Sequence, residues 1–131
     1  MKHVLFALLI AAPAAMAAET PMTGAEFDAY TQGKTFYYAE NGRDYGGEEY
    51  LPDRRVRWSF LDGHCKDGLW YEQADQICFI YEDSTDPQCW TFYDGPDGLV
   101  AQFENDPTRA MLYETRQSDE PMMCLGPDVG V

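Results

Sequence analysis

Apolar and polar side chains alternate along most of the chain after residue 34, and a period of two is typical of half-buried β-strands. In RRVRWSFL, for example, Val56, Trp58 and Phe60 alternate with polar neighbours. Clusters of Gly, Asp, Asn and Pro separate the alternating runs and supply the chemistry of turns. The pattern predicts eight strands, at residues 35–39, 46–51, 54–61, 69–72, 76–82, 88–94, 99–104 and 110–115.

The predicted strands are short and recur about every dozen residues, a spacing typical of all-β domains. Such short connections join neighbouring antiparallel strands, whereas parallel strands need longer crossovers. The fold class is therefore all-β, an antiparallel up-and-down meander. Eight strands can close into a small barrel, which removes the exposed edges of a flat sheet. A strongly curved open sheet or a sandwich is the alternative.

One segment before the strands, TGAEFDAYTQG, carries helical signals. Thr23 can cap a helix with Glu26 completing a capping box, and Gly33 can end it in the left-handed conformation. Phe27 and Tyr30 then lie on one face. The sequence predicts one short amphipathic N-terminal helix, which plugs one end of a barrel or lies across an open sheet.

The link between the second and third predicted strands contains Pro52-Asp53, a favourable turn dipeptide. A two-residue loop at this point would place Glu48 opposite Arg57. The basic cluster at 54, 55 and 57 could line a cavity mouth and bind a ligand carboxylate through two hydrogen bonds. Pairing of these arginines with the acidic side chains at 48 and 49 is the favoured alternative.

The chain begins MKHVLFALLIAAPAAMA, with a positive start, an apolar core too short to span a bilayer, and a small-x-small pattern before Ala18. This pattern is typical of a secretory signal peptide. We expect residues 1–17 to be removed and residues 18–131 to form a single disulfide-stapled β domain. An N-terminal membrane anchor is the alternative. The expected location is the periplasm in a Gram-negative cell, otherwise the medium, with no membrane insertion after cleavage.

The mature chain would be strongly acidic. Loss of Lys2 leaves 8 Lys and Arg against 23 Asp and Glu, a formal charge of −15. Nucleic acid is excluded as a partner because phosphate contacts need clustered cations, and anionic lipid surfaces are disfavoured for the same reason. The charge serves solubility, and it also permits attraction to a cationic protein. Inhibition of a cationic exported enzyme such as a lysozyme is one such role.

Four cysteines lie in the mature part of the chain, and an even number in a small exported domain usually forms disulfides. Zinc is disfavoured because there is no CxxC and His64 is the single histidine of the mature part. Of three possible pairings we favour Cys78–Cys89 on adjacent strands, with Cys65–Cys124 fastening the C-terminal segment. A symmetric five-residue turn at 83–87 would require a bulge or a tighter turn to bring Cys78 to Cys89.

The sequence contains no Ser/His/Asp set, phosphate loop or cluster of metal ligands. His64 and Cys65 are a poor base and nucleophile because the cysteine is expected to be oxidised. Acidic turns near Asp83 and Asp94 do not match a complete calcium loop. We therefore predict that the protein is not an enzyme and has no metal and no cofactor.

The aromatic side chains either fill the core or form the wall of an apolar cavity, since eight-stranded barrels are of a size at which both occur. A cavity would take a small apolar molecule. The candidate ligand-binding residues are Trp58, Trp70, Trp90, Phe60, Phe79, Tyr81, Arg55 and Arg57.

Three segments carry a family resemblance: Gly68-Leu69-Trp70, the run from Ile77 to Tyr81, and Cys89-Trp90. Their order, Gly-x-Trp, then Cys-aromatic-x-Tyr, then Cys-Trp, resembles a group of small exported alphaproteobacterial proteins over residues 24–104. The resemblance implies a lipocalin-like β meander with a short leading helix, and it brings no catalytic residue. Cys65 and Cys124 depart from the simpler two-cysteine pattern of that group.

Overall fold

The computed structural model describes residues 20–125, so the expected signal peptide lies outside the described residues. Within this range the chain forms one α-helix, one 3-10 turn and eight strands. The strands follow sequence order around a closed barrel, each antiparallel to its neighbours, and the last pairs with the first. The predicted all-β up-and-down barrel with one short helix is confirmed. None of the helices between residues 20 and 125 is long and apolar enough to cross a bilayer.

The helix α1 spans Gly24–Thr31, and the 3-10 turn spans Pro52–Arg54. Three strands extend three residues beyond a predicted end, at the start of the second and fourth strands and at the end of the eighth, because cross-strand pairing continues there. The third and fifth strands are shorter than predicted. The strands are β1 Thr35–Glu40, β2 Arg43–Tyr50, β3 Arg55–Ser59, β4 Lys66–Gln73, β5 Gln76–Tyr81, β6 Gln88–Gly95, β7 Gly98–Phe103 and β8 Met111–Ser118.

The helix closes one end of the barrel, as predicted. The Thr23 hydroxyl accepts a hydrogen bond from the N–H of Glu26 at 3.1 Å and donates one to its carboxylate at 3.0 Å. Gly33, just after the helix, has φ +79°, the left-handed conformation expected of it. Phe27 is fully buried, and its ring contacts those of Tyr50, Trp70, Phe79 and Phe92.

The two ends of the barrel therefore differ. The helix lies at the end where the β2–β3, β4–β5 and β6–β7 turns gather, and the N–H of Gly33 donates to the carbonyl of Tyr50 there. We call this the closed end. The β1–β2, β3–β4, β5–β6 and β7–β8 connections lie at the opposite end, the open end.

The β2–β3 register differs from the predicted one. Glu48 lies opposite Trp58 and Glu49 lies opposite Arg57, so the predicted pairing of Glu48 with Arg57 is wrong by one residue. The loop contains three residues rather than two, because both Asp53 and its successor adopt left-handed φ values of 62° and 59°. A shift of one residue moves a side chain to the other face of a sheet. Glu48 consequently points into the barrel.

Both predicted disulfides are confirmed. Cys78 lies directly opposite Cys89, with a Cα–Cα distance of 3.9 Å. Neither a bulge nor a tight turn is needed, because β5–β6 pairing ends at residues 79 and 88 and leaves 80–87 outside that ladder. Cys65 and Cys124, 5.5 Å apart at Cα, join the β3–β4 loop to the segment after β8. Such bridges are typical of proteins outside the reducing cytoplasm.

The two bridges should differ in their effect on stability. The Cys65–Cys124 bridge closes a span of 59 residues and Cys78–Cys89 one of 11. If a bridge acts mainly by restricting the unfolded chain, the double alanine variant at 65 and 124 loses about 4 kcal/mol and that at 78 and 89 about 3 kcal/mol. Urea unfolding of both variants measures this, and a larger loss for the shorter span would contradict the prediction.

Candidate functional site

A buried acid is the most unusual feature of the barrel interior. Glu48, two residues before the end of β2, is 1% exposed. The Tyr81 hydroxyl donates a hydrogen bond to its Oε1 at 2.9 Å. Its other oxygen, Oε2, has no hydrogen-bond partner among residues 20–125. A buried polar atom without a partner is rare in proteins, and it costs about 1–3 kcal/mol.

The surroundings of Glu48 favour its neutral form. Burial raises the pKa of Glu48 well above that of an exposed glutamate, while the Tyr81 hydrogen bond and the charge of Lys66 act in the opposite direction. Burial also raises the pKa of Tyr81 well above the usual value, and the Glu48 charge adds to the rise. A cation closer to the carboxyl group would lower its pKa and favour its ionised form.

A second hydrogen-bonded pair lies beside this acid. The hydroxyls of Tyr38 and Tyr50 are 2.8 Å apart, and both side chains are buried. Burial raises the pKa of both tyrosines, so both remain neutral donors and acceptors at physiological pH. The interior therefore contains a small set of hydroxyl and carboxyl groups within an aromatic shell.

The cavity bounded by these groups has a volume of about 40 Å³. That is room for one or two waters, and drug-sized ligands occupy several hundred Å³. Five of the eight candidate ligand-binding residues line this cavity, and their role in binding stays a prediction: Trp58, Phe60, Phe79, Tyr81 and Trp90.

The other three candidates lie elsewhere. Trp70 packs against Phe27 at the closed end, under the guanidinium of Arg54 at 4.4 Å. Arg55 is exposed beside the 3-10 turn. The Nε of Arg57 is 2.9 Å from Asp67 on β4, so the expected pairing with residue 48 is replaced by an ion pair on the outer face.

Lys66 takes the place at the cavity that the arginines were expected to fill. Its Nζ lies 4.8 Å from the ring centre of Tyr81 and 5.6 Å from that of Phe60. It also forms an ion pair with Asp83 at 3.5 Å. Sequence reasoning missed Lys66 because it stands in the turn-like stretch DGHCKDG. Its position two and four residues before Gly68 and the buried Trp70 on one strand was the available signal.

A patch of exposed apolar side chains lies beside this opening, on the β3–β4 loop and the segment after β8. The N–H of Leu125 donates to the carbonyl of Gly63, and the Cys65–Cys124 bridge holds the two segments together. We call the patch the rim patch: Phe60 (55% exposed), Leu61 (45%), Met123 (87%) and Leu125 (61%).

The backbone at the rim patch is unusual as well. Leu61 has φ +64°, a left-handed conformation that costs a residue other than glycine about 1–2 kcal/mol. The Ser59 hydroxyl accepts a hydrogen bond from the Leu61 N–H at 3.0 Å and holds this conformation. A groove of about 230 Å³ runs from Phe60 and Lys66 past Asp62, His64 and Asp83. Apolar and acidic groups therefore adjoin at the open end.

Between residues 20 and 125, no group of three or more His, Cys, Asp and Glu side chains is arranged to hold a metal ion. Comparisons of the chain with protein-family models, with curated proteins and with solved structures found no match. The resemblance to small exported alphaproteobacterial proteins stays a prediction. The cavity and the rim patch at the open end are the features that bear on function.

Replacing the buried acid should change the pH dependence of stability. The folded state holds the Glu48 proton above pH 4.5, where the unfolded chain releases it, so stability from this group is full at low pH and falls as the pH rises. Glu48→Gln removes that loss because glutamine does not ionise. As the pH rises, the folding constant of the variant divided by that of the natural protein should therefore increase by up to about tenfold per pH unit. Urea unfolding across the pH range tests this.

The exposed Glu120 provides a matched control, since Glu120→Gln removes an acid from the surface of the same chain. The difference in stability between Glu120→Gln and the natural protein at each pH is the baseline for the Glu48→Gln measurement. A constant difference between Glu48→Gln and the natural protein at every pH would contradict the assignment of Glu48 as a buried, protonated acid.

Proposed function

We propose that this protein is an exported, non-enzymatic binding module that docks the open end of its barrel on a cationic protein. The observation that carries the proposal is the rim patch, four exposed apolar side chains on two segments that the Cys65–Cys124 bridge joins. Groups of exposed apolar side chains commonly mark interaction sites in soluble proteins.

The rim patch is held rigid before any partner arrives. The Cys65–Cys124 bridge ties its two segments together, and Ser59 fixes the backbone of Leu61. Association costs less free energy when the contacting side chains are already ordered. Strained backbone conformations such as that of Leu61 occur mostly at functional sites, and this supports a role of its exposed side chain in binding.

The charge of the molecule favours a basic partner. The whole chain carries a formal charge of −14. At the open end, Asp62, Glu82, Asp83 and Asp86 are exposed on the loops next to the rim patch. Complementary charge accelerates encounter and rejects like-charged proteins, and salt weakens both effects. A cationic exported enzyme, of which a lysozyme is an example, fits this description.

A small apolar molecule is the second candidate, and the aromatic lining of the cavity favours it. At about 40 Å³ the cavity limits the ligand to a few non-hydrogen atoms unless the mouth opens. Displacement of a hydrophobic dye, together with native mass spectrometry of the protein, tests this candidate. No displacement and no bound mass would remove it.

Selection from a random displayed peptide library tests the docking proposal. We expect enrichment of peptides that combine Lys or Arg with aromatic or aliphatic residues, and weaker binding at high salt. Leu61→Ser should reduce the affinity of enriched peptides about tenfold, since exposed anchors of this size contribute about 1–2 kcal/mol. Leu69→Ser is the matched control because Leu69 is exposed to a similar degree on β4, outside the rim patch.

Equal binding by both leucine variants, or no enrichment over background, would contradict the proposal. The turnover of a lysozyme at low salt provides a second readout. Unchanged turnover in excess protein would remove inhibition of that enzyme from the proposed roles.

A further inference from the structure

We infer that the mouth of the barrel is a receptor for an alkylammonium group, and that Lys66 occupies this receptor in the free protein. The inference rests on the proposed function and deepens it, because the natural source of the group would be a lysine side chain of the cationic partner. A free aliphatic amine carries the same chemistry and is the other source.

Aromatic rings surround the position of the ammonium group. Lys66 Nζ lies within the reach of cation–π attraction from both Tyr81 and Phe60, at 4.8 and 5.6 Å from the ring centres. The ring of Phe60 contacts those of Tyr45 and Trp58, with ring centres 5.8 and 5.4 Å apart. These four aromatic side chains, together with Lys66, all line the cavity. Such aromatic cages are a recurrent means of binding ammonium groups.

Glu48 supplies a carboxyl group at the base of this cage, and a bound cation would favour its ionised form. It lines the same cavity and is almost fully buried, and its Oε2 has no partner among the described residues. An ammonium group has three donors, so one that entered more deeply than Lys66 would satisfy this oxygen. A cation there would also stabilise the ionised carboxylate, as Lys66 already does in part by lowering the pKa of Glu48 against the effect of burial.

Lys66 is a displaceable occupant. Its ion pair with Asp83 spans 3.5 Å, and the aspartate side chain is 59% exposed. An ion pair with a solvent-exposed partner is weak, so Asp83 does little to hold the Lys66 side chain in the mouth. Asp83 stays at the mouth and can receive either cation.

The surrounding groups favour a cation over other ligand charges. A ligand carboxylate would meet Lys66, but it would also approach Glu48, Asp83 and Asp62. A neutral apolar ligand would leave Glu48 Oε2 without a partner. An ammonium group satisfies the carboxyl oxygen and uses the aromatic faces at the same time.

Lys66→Ala tests the inference, since alanine removes both the aliphatic stem and the ammonium group that fill the mouth. The probe is butylammonium, with butanol and butyrate as neutral and anionic controls, and binding is followed by NMR shifts of the residues that line the cavity. We expect Lys66→Ala to bind butylammonium about tenfold more tightly than the natural protein, because the resident side chain no longer competes. Butanol and butyrate should bind neither protein measurably.

Adding Glu48→Gln to Lys66→Ala should abolish the preference for butylammonium over butanol, and a cooperative unfolding transition would show that the double variant is folded. Equal binding of butylammonium and butanol to Lys66→Ala, or no gain over the natural protein, would overturn the inference.

A peptide arm separates this inference from the docking proposal. In peptides enriched by the natural protein, replacing lysine by norleucine should weaken binding to the natural protein more than binding to Glu48→Gln if the side chain enters the receptor. An equal loss of affinity for both proteins would overturn the receptor and leave docking standing. Conversely, butylammonium binding without any enriched peptide would support the receptor as a site for free amines and remove docking.

Discussion

Pairing of β8 with β1 closes the sheet, and the rest of the molecule depends on how the enclosed space is filled. At the closed end the α1 helix inserts Phe27 among four other rings, so the interior there is solid packing. Among residues 20–125 no helix lies at the open end, and the interior there contains aromatic side chains with a few polar groups. Because packed rings fill the closed end, the cavity and the candidate functional site lie at the open end.

The alternation of side chains and the chemistry of turns predicted eight strands and the helix, since each depends on a short stretch of sequence. The Cys78–Cys89 bridge followed from the adjacency of its two strands, and Cys65–Cys124 followed only as the remaining pair. The β2–β3 register could not be predicted, because Pro52-Asp53 suits loops of two and of three residues. Left-handed backbone at a residue such as Asp53 decides between them. That local difference moves Glu48 from the surface to the interior.

The candidate site was predicted only in part for a related reason. The inward aromatic residues of β3, β5 and β6 followed from alternation, and Trp58, Phe79 and Trp90 do line the cavity. Arg57 does not line the cavity, because it lies on the outer face of β3 and forms an ion pair with Asp67. A charged residue can be assigned to one face of a sheet only when the bounds of its strand are known. Lys66 can be assigned to the inner face only once β4 is known to begin at that residue.

The Cys65–Cys124 bridge links the two functional proposals physically. Cys65 precedes Lys66 in the chain, and Cys124 stands between the exposed Met123 and Leu125. The disulfide therefore holds Met123 and Leu125 of the rim patch close to the start of β4, the strand that carries Lys66. A chain with reduced thiols lacks this covalent link between the two segments. Assembly of the open end would then follow oxidation, which fits a proposed partner that is encountered outside the reducing cytoplasm.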